Sequence, residues 1–234
     1  MINEYVEIVE YYDNLLTSGY FDYDDLANTL YKLLGDKRKV LDIGVGTGLL
    51  TEKMLPLADY DIVGVDFSSG MLDIAKERLA NSNVKLICQD ILEFETEEKF
   101  EAIVSTGGAI TIVEEDQQYK LYSHITDRTK NEQLLVQLYN LLDDNGLFTL
   151  KIQGSHTNYK KEIKDGIFYE QKLEKGKPFV DKWYIFSTAD GQVLKEQFCH
   201  YYCWDGEEAS QAFSDAGFKG EPHVFDDEFL VFYK

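Results

Sequence analysis

The stretch "VLDIGVGTGLL", Val40 to Leu50, decides the fold. Its apolar residues Val40, Leu41 and Ile43 stop at a glycine cluster, and the chain then passes into "LLTEKMLPLA", where apolar residues recur at helical spacing. This order predicts a buried strand, a tight turn and a helix. Gly44, Gly46 and Gly48 alternate through the turn, which is more glycine than tightness alone requires. Open parallel sheets bind ligands beyond the carboxyl ends of their strands, with the first strand-to-helix turn as the usual floor. The three glycines therefore point to a ligand.

The spacing narrows which ligand. A dinucleotide fingerprint, G-x-G-x-x-G, counted from Gly44 needs its third glycine at Leu49; the chain has G-x-G-x-G instead, preceded by Asp42. No G-x-x-x-x-G-K-[ST] phosphate loop occurs anywhere, and no Ser-Tyr-Lys set of a nicotinamide-dependent oxidoreductase is found.

Working outward, strand and helix alternate from Lys39 to Gln153. Strands are predicted at "KVLDIG", "DIVGVD" (61–66), "VKLICQD" (84–90), "FEAIVST" (100–106) and "GLFTLKIQ" (146–153), with helices at "LLTEKMLPLA", "SSGMLDIAKERLA" and "NEQLLVQLYNLLDD" between them. Ser68 or Ser69 is available to cap the second helix. Such alternation implies a parallel sheet covered on both faces. Beyond Gln153, "GIFYEQKL", "FVDKWYIFS" and "VLKEQFCHYYCW", separated by "EKGKP" and "ADGQ", suit antiparallel strands; a helix ending at Gly217 and two last strands follow. The expected architecture is a single α/β domain over 1–234. It comprises an N-terminal helical lid (1–35), a three-layer, doubly wound, seven-stranded, mostly parallel core (36–153), an antiparallel insertion (154–204) and a final helix with strands (205–234).

The formal net charge of −20 is spread along the chain and leaves no basic stripe to neutralise phosphates, so nucleic acid is a poor partner and a neutral or cationic small molecule a better one. The first twenty residues are acidic, with no basic region before an apolar core, and no apolar run has membrane-spanning length; a cytoplasmic monomer or homodimer is expected. Cys88, Cys199 and Cys203 are unevenly placed and read as reduced thiols.

"VLDIGVGTGLLT" resembles the first motif of class I S-adenosylmethionine-dependent methyltransferases, and the resemblance extends over roughly 38–153 with an echo at "FSDAGF". It implies a Rossmann-like fold with S-adenosylmethionine as cofactor and S-adenosylhomocysteine as product. It implies that Gly44, Gly46, Gly48 and the adjoining Leu49 let the methionyl part approach, and that Asp42 lies under the loop, holding its amides or, through water, the cofactor ammonium. Asp66, twenty residues beyond Gly46, falls where the family's ribose-binding acid stands. Phe67 and Met71 match positions packing on adenine, Asp90 with the Ile91 backbone the position accepting from its amino group, and Ser105 the position against the methionyl tail. Gly107 and Gly108 lie beside the acceptor in this scheme.

The resemblance to small-molecule N-methyltransferases extends to the N-terminal helix and the insertion, which makes Tyr11, Tyr12 and Tyr20 candidates for a lid over cofactor and acceptor. Trp183, Tyr201 and Trp204 are candidates for the pocket wall or for the core of the insertion. Methyl transfer is an in-line displacement that positioning in a dry pocket accelerates, and an amine acceptor must lose its proton. Candidate catalytic groups are Tyr20, His156 after the fifth strand, and His124 in "YKLYSHI", which reads as helical, although for each histidine a surface or hydrogen-bonded structural role is the commoner one. On a strand, Cys199 and Cys203 stand about 13 Å apart and His200 points away, so no metal site is expected. There is no [DN]-P-P-[FY] element and no Pro-Cys nucleophile, in keeping with a small acceptor rather than nucleic acid. The expected reaction is methylation of a small molecule, an amine preferred on the strength of the acidic lid, with a hydroxyl, a carboxyl or a peptide or protein as alternatives.

Overall fold

A computed structural model describes residues 5–234; residues 1–4 of the expected lid lie outside the described residues. The glycine-bearing stretch forms β1 (Lys39–Ile43), a turn and α3 (Leu49–Met54), preceded by α1 (Val9–Thr17) and α2 (Tyr23–Leu34). There follow β2 (Asp61–Asp66), α4 (Ser69–Arg78), β3 (Lys85–Cys88), β4 (Phe100–Ser105), β5 (Ile110–Glu115), β6 (Gln118–Ser123), α5 (Arg128–Leu141) and β7 (Leu142–Gln153). The C-terminal part comprises β8 (Tyr159–Lys164), β9 (Ile167–Lys175), β10 (Phe179–Ser187), β11 (Val193–Trp204), α6 (Gly206–Ala216), β12 (Lys219–Phe225) and β13 (Phe229–Tyr233).

Pairing gives the expected seven-stranded sheet in the order β3-β2-β1-β4-β7-β13-β12, with β13 antiparallel to β7 and every pair from β3 to β7 parallel. Alternate side chains of β1 serve opposite layers. Leu41 and Ile43 pack among α5 and α6 with Leu134, Leu138 and Phe213, while Val40 packs with Leu26, Leu30 and Met54 of α2 and α3. Two faces covered by helices make the three layers. Among the described residues no helix is long and apolar enough to cross a membrane.

The antiparallel part is larger than the sequence suggested. Besides β8 to β11 it includes the hairpin β5–β6, and it joins the parallel sheet where Ile112 and Val113 pair with Ile152 and Gln153 at the end of β7. "YKLYSHI" is therefore a strand, not a helix, and His124 follows its end. The turn between β5 and β6 is made by Asp116 and Gln117, both at positive φ (53° and 63°), without the glycine or asparagine that usually announces a two-residue hairpin.

The loop after β4 crosses back over the loop after β1. A Cβ on Gly44 would lie 2.2 Å from the Gly108 Cα, and one on Gly108 would lie 2.1 Å from the Ile43 carbonyl oxygen. Neither position accepts a side chain, because the neighbour in each case is backbone and cannot rotate away. We expect Gly108→Ala to lower the urea midpoint, by about 1–3 kcal/mol or more in stability, whereas Gly154→Ala, with nothing within 4 Å of its added Cβ, leaves it near wild type.

Candidate active site

The C-terminal ends of β1 and β4, the inner face of the antiparallel sheet and the N-terminal helices enclose one cavity. Asp42, Gly44, Gly46 and Leu49 line it from the glycine loop, Tyr12, Tyr20 and Tyr23 from the lid, and His124, His156, Lys182 and Tyr201 from the antiparallel side. The sequence-predicted residues thus divide into those brought together here and those placed elsewhere.

Asp66, at the end of β2, accepts the Gly46 N–H at 2.9 Å and the Ser68 N–H at 2.9 Å. It holds the glycine loop to the start of α4, and each carboxylate oxygen keeps lone pairs for further donors. Burial raises its carboxyl, while these backbone bonds pull it back down. Holding a loop amide is therefore the work of Asp66, not of Asp42. Asp42 is 4% exposed; one oxygen accepts the Thr51 hydroxyl at 3.0 Å and the other, Oδ1, is buried without a partner. Burial pushes its carboxyl up to about 7, opposed by the Thr51 bond and assisted by the nearby Asp66 charge.

Ser68, rather than Ser69, caps α4. Met71 is buried beside that cap, while Phe67 leaves 43% of its surface exposed beyond the end of β2. Asp90 caps a short 3-10 turn by accepting the Leu92 N–H at 3.0 Å, and the Ile91 carbonyl accepts from the Gln137 amide at 2.9 Å. Ser105 is fully buried, donates to the Ile110 carbonyl at 2.8 Å and does not reach the cavity; its neighbours Thr106 and Gly107 do. Gly108 serves the loop contact already described.

The lid is tied to the glycine loop by ionic and hydrogen bonds. Asp13 on α1 accepts the Thr47 hydroxyl at 2.6 Å and pairs with Arg78 of α4, which also donates to the Thr47 carbonyl. Tyr11 does not line the cavity; its ring stacks on Phe186 with centroids 5.2 Å apart. Trp183 is likewise misassigned by the sequence. It sits on the outer face of β10 against Phe198, because Val180, Lys182, Tyr184 and Phe186 occupy the inner register. Trp204 belongs to the core under α6.

The antiparallel wall is a connected polar network. His156 Nε2 lies 2.9 Å from Gln153 Oε1, the Tyr20 hydroxyl donates to the same oxygen at 3.5 Å, and the Gln153 amide donates to Thr111 at 3.1 Å. With its amide so directed, Gln153 accepts from His156 Nε2–H, which leaves Nδ1 as the lone-pair nitrogen. The hydroxyls of Tyr5, Tyr184 and Tyr201 meet within 3.0–3.3 Å of one another, with His124 Nε2 3.4 Å from Tyr5. Burial keeps these three phenols protonated by raising them well above their ordinary range. Burial, helped by the Lys182 charge, pushes His124 down to about 3 and His156 well below its usual value.

Lys182 was not foreseen. It is 1% exposed, lines the cavity and lies 4.3 Å over the Tyr184 ring; burial pushes its ammonium down to about 7, against a smaller opposing effect of Cys199. Its signal in "FVDKWYIFS" was a lysine in register with Val180, Tyr184 and Phe186 on an otherwise apolar face. Tyr23, Thr111 and Gln153 were missed as well. His200 pairs with Asp181, and among the described residues no group of three or more His, Cys, Asp or Glu could hold a metal ion.

Residues 40–132 match the family model described as a methyltransferase domain. Among curated relatives, a malonyl-[acyl-carrier protein] O-methyltransferase of Acetivibrio thermocellus is 38% identical over 87 residues, 35% of this chain and 31% of that protein. An uncharacterized methyltransferase of Geobacillus sp. is 31% identical over 131 residues, 56% of this chain and 54% of that protein. The chain spans only 31%, 25% and 26% of the first three curated relatives it matches. Among solved structures, Streptomyces venezuelae DesVI aligns with a TM-score of 0.74 at 16% identity, covering 97% of this chain and 98% of that one. CalS10, an amino pentose methyltransferase from Micromonospora echinaspora solved with S-adenosylmethionine bound, gives 0.71 at 16% identity over 95% of each chain. At such identities the likeness shows a shared fold over nearly the whole length. The glycine loop, the strand-end acids and this fold thus occur together on a chain whose residues 40–132 are a methyltransferase domain similar to those of the class I S-adenosylmethionine-dependent enzymes.

Proposed function

We propose that the protein transfers a methyl group from S-adenosylmethionine to the nitrogen of a small-molecule amine. The residues fit the cofactor: Asp42 Oδ1 is a buried oxygen without a partner on the cavity wall, placed to accept from a cofactor ammonium, and Asp66 keeps lone pairs free for the ribose hydroxyls. Phe67 and Met71, with Asp90 and the Ile91 backbone, are assigned to the adenine, and the glycine loop to the methionyl chain. When bound, the cofactor supplies an electrophilic methyl on a sulfonium.

The observation carrying the amine reading is that this cavity disfavours cations. Burial lowers His124, His156 and Lys182 alike. An alkylammonium entering the same surroundings is shifted toward the free base, the form whose lone pair attacks. Tyr12, Tyr20 and Tyr23 close the cavity against water, and the Gln153–His156 pair orients the acceptor, with His156 Nδ1 able to receive its proton. Solved relatives of this fold include an amino pentose methyltransferase and a sugar N-methyltransferase, which supports an amine. The malonyl-[acyl-carrier protein] O-methyltransferase relatives favour a carboxyl acceptor as the second reading.

Labelled S-adenosylmethionine offered with panels of amines, phenols and carboxylic acids tests this directly. Label on an amine nitrogen is expected; label in a base-labile ester favours the second reading, and transfer to no panel member contradicts both. His156→Phe should lower kcat/KM for the amine by about 100-fold with unchanged affinity for S-adenosylhomocysteine. Because Asp42 is neutral below about 7 and must ionise to pair with an ammonium, S-adenosylhomocysteine affinity should rise between pH 6 and 8 with release of a proton. Asp42→Asn should bind more weakly and flatten that dependence, as calorimetry at several pH values will read.

A further inference from the structure

Lys182 is a buried amine that has no counter-charge beside it among the described residues. At 1% exposure it contacts the Tyr184 ring but has no carboxylate within ion-pair distance among the described residues. The buried carboxylate of the antiparallel sheet, Glu115, is already held by Lys120 at 3.0 Å and Lys175 at 2.7 Å, and accepts the Tyr122 hydroxyl at 3.2 Å. Among the described residues, the antiparallel side of the cavity around Lys182 carries His124, His156, Tyr184 and Tyr201, with Cys199 as its cross-strand neighbour and Tyr5 closing from the N-terminal segment, while the cavity's one carboxyl, Asp42, lies on the glycine-loop side. A methionine would fill this inner position of β10 without any desolvation cost, so packing does not account for a lysine there.

We propose that the acceptor carries a carboxylate that pairs with Lys182 on the antiparallel wall, so that the substrate class is an amino acid rather than a simple amine. The inference rests on the amine reading above and specifies its substrate. A single lysine matches a single negative charge; a phosphate dianion would call for a second cation, and Lys120 and Lys175 are committed to Glu115. The substrate carboxylate supplies the missing counter-charge and anchors one end of the molecule. Its amine then reaches toward Gln153 and His156, and decarboxylated analogues leave Lys182 unpaired and are rejected.

The test uses the full chain loaded with S-adenosylhomocysteine, titrated calorimetrically with tyrosine and tyramine, histidine and histamine, tryptophan and tryptamine, and O-phosphoethanolamine. At least one amino acid should bind roughly 10-fold or more tightly than its decarboxylated partner. Lys182→Met should abolish that preference with S-adenosylhomocysteine affinity unchanged, and Lys182→Arg should retain part of it. Ligand-free Lys182→Met should show a urea midpoint equal to or above wild type, since it loses an uncompensated buried charge. The proposal is overturned if no pair shows a preference in wild type, if the preference survives in Lys182→Met, if phosphoethanolamine alone binds, or if the Lys182→Met midpoint falls well below wild type. Failure of the wild-type chain to bind S-adenosylhomocysteine would instead overturn the methyltransferase reading itself.

Discussion

The contact between two glycines, Gly44 and Gly108, is the constraint on which the site depends. It lets the loop after β4 lie directly on the loop after β1. From that crossing the chain leaves the parallel sheet and enters the β5–β6 hairpin, which carries the antiparallel sheet over the mouth of the glycine loop. A side chain at either glycine would prise the two sheets apart at their junction. The cavity exists because the backbone is bare at these two positions.

Within that cavity the electrostatics are austere. Burial pushes one carboxyl, Asp42, up to about 7 and one amine, Lys182, down to about 7, and the remaining polar side chains of the lining are neutral phenols, threonine hydroxyls, imidazoles and an amide. An interior like this gives a ligand little competition from water and makes each unbalanced group selective for a partner of opposite charge. The proposed substrates answer both, an ammonium on the cofactor for Asp42 and a carboxylate on the acceptor for Lys182. The overall acidity of the chain plays little part in this, since most of its acidic residues lie outside the cavity.

The glycine loop and the two strand-end acids were legible in the sequence because they sit at the ends of regular strands. Alternating glycines, Asp66 closing β2 and Asp90 following β3 are fixed by local pattern, and so is the alternation of strand and helix that builds the seven-stranded sheet. The acceptor half was less legible. Its wall is assembled from strands distant in sequence, and the β5–β6 turn is made by Asp116 and Gln117 instead of glycine or asparagine, so no turn signal distinguishes the strand before His124 from a helix. Strand alternation sends Trp183, a candidate for the pocket wall, outward and puts Lys182 inside. Which carboxylate holds the loop amide was also beyond sequence, because Asp42 and Asp66 lie on adjacent parallel strands and either could reach it.

The central claim is that the cavity between these sheets is built for S-adenosylmethionine. Titration calorimetry of the wild-type chain with S-adenosylhomocysteine, with NADH as the comparison, tests it most directly. Saturable one-to-one binding of S-adenosylhomocysteine with none of NADH is the predicted result. Binding of NADH in its place would contradict the account and return the glycine loop to the dinucleotide-binding class.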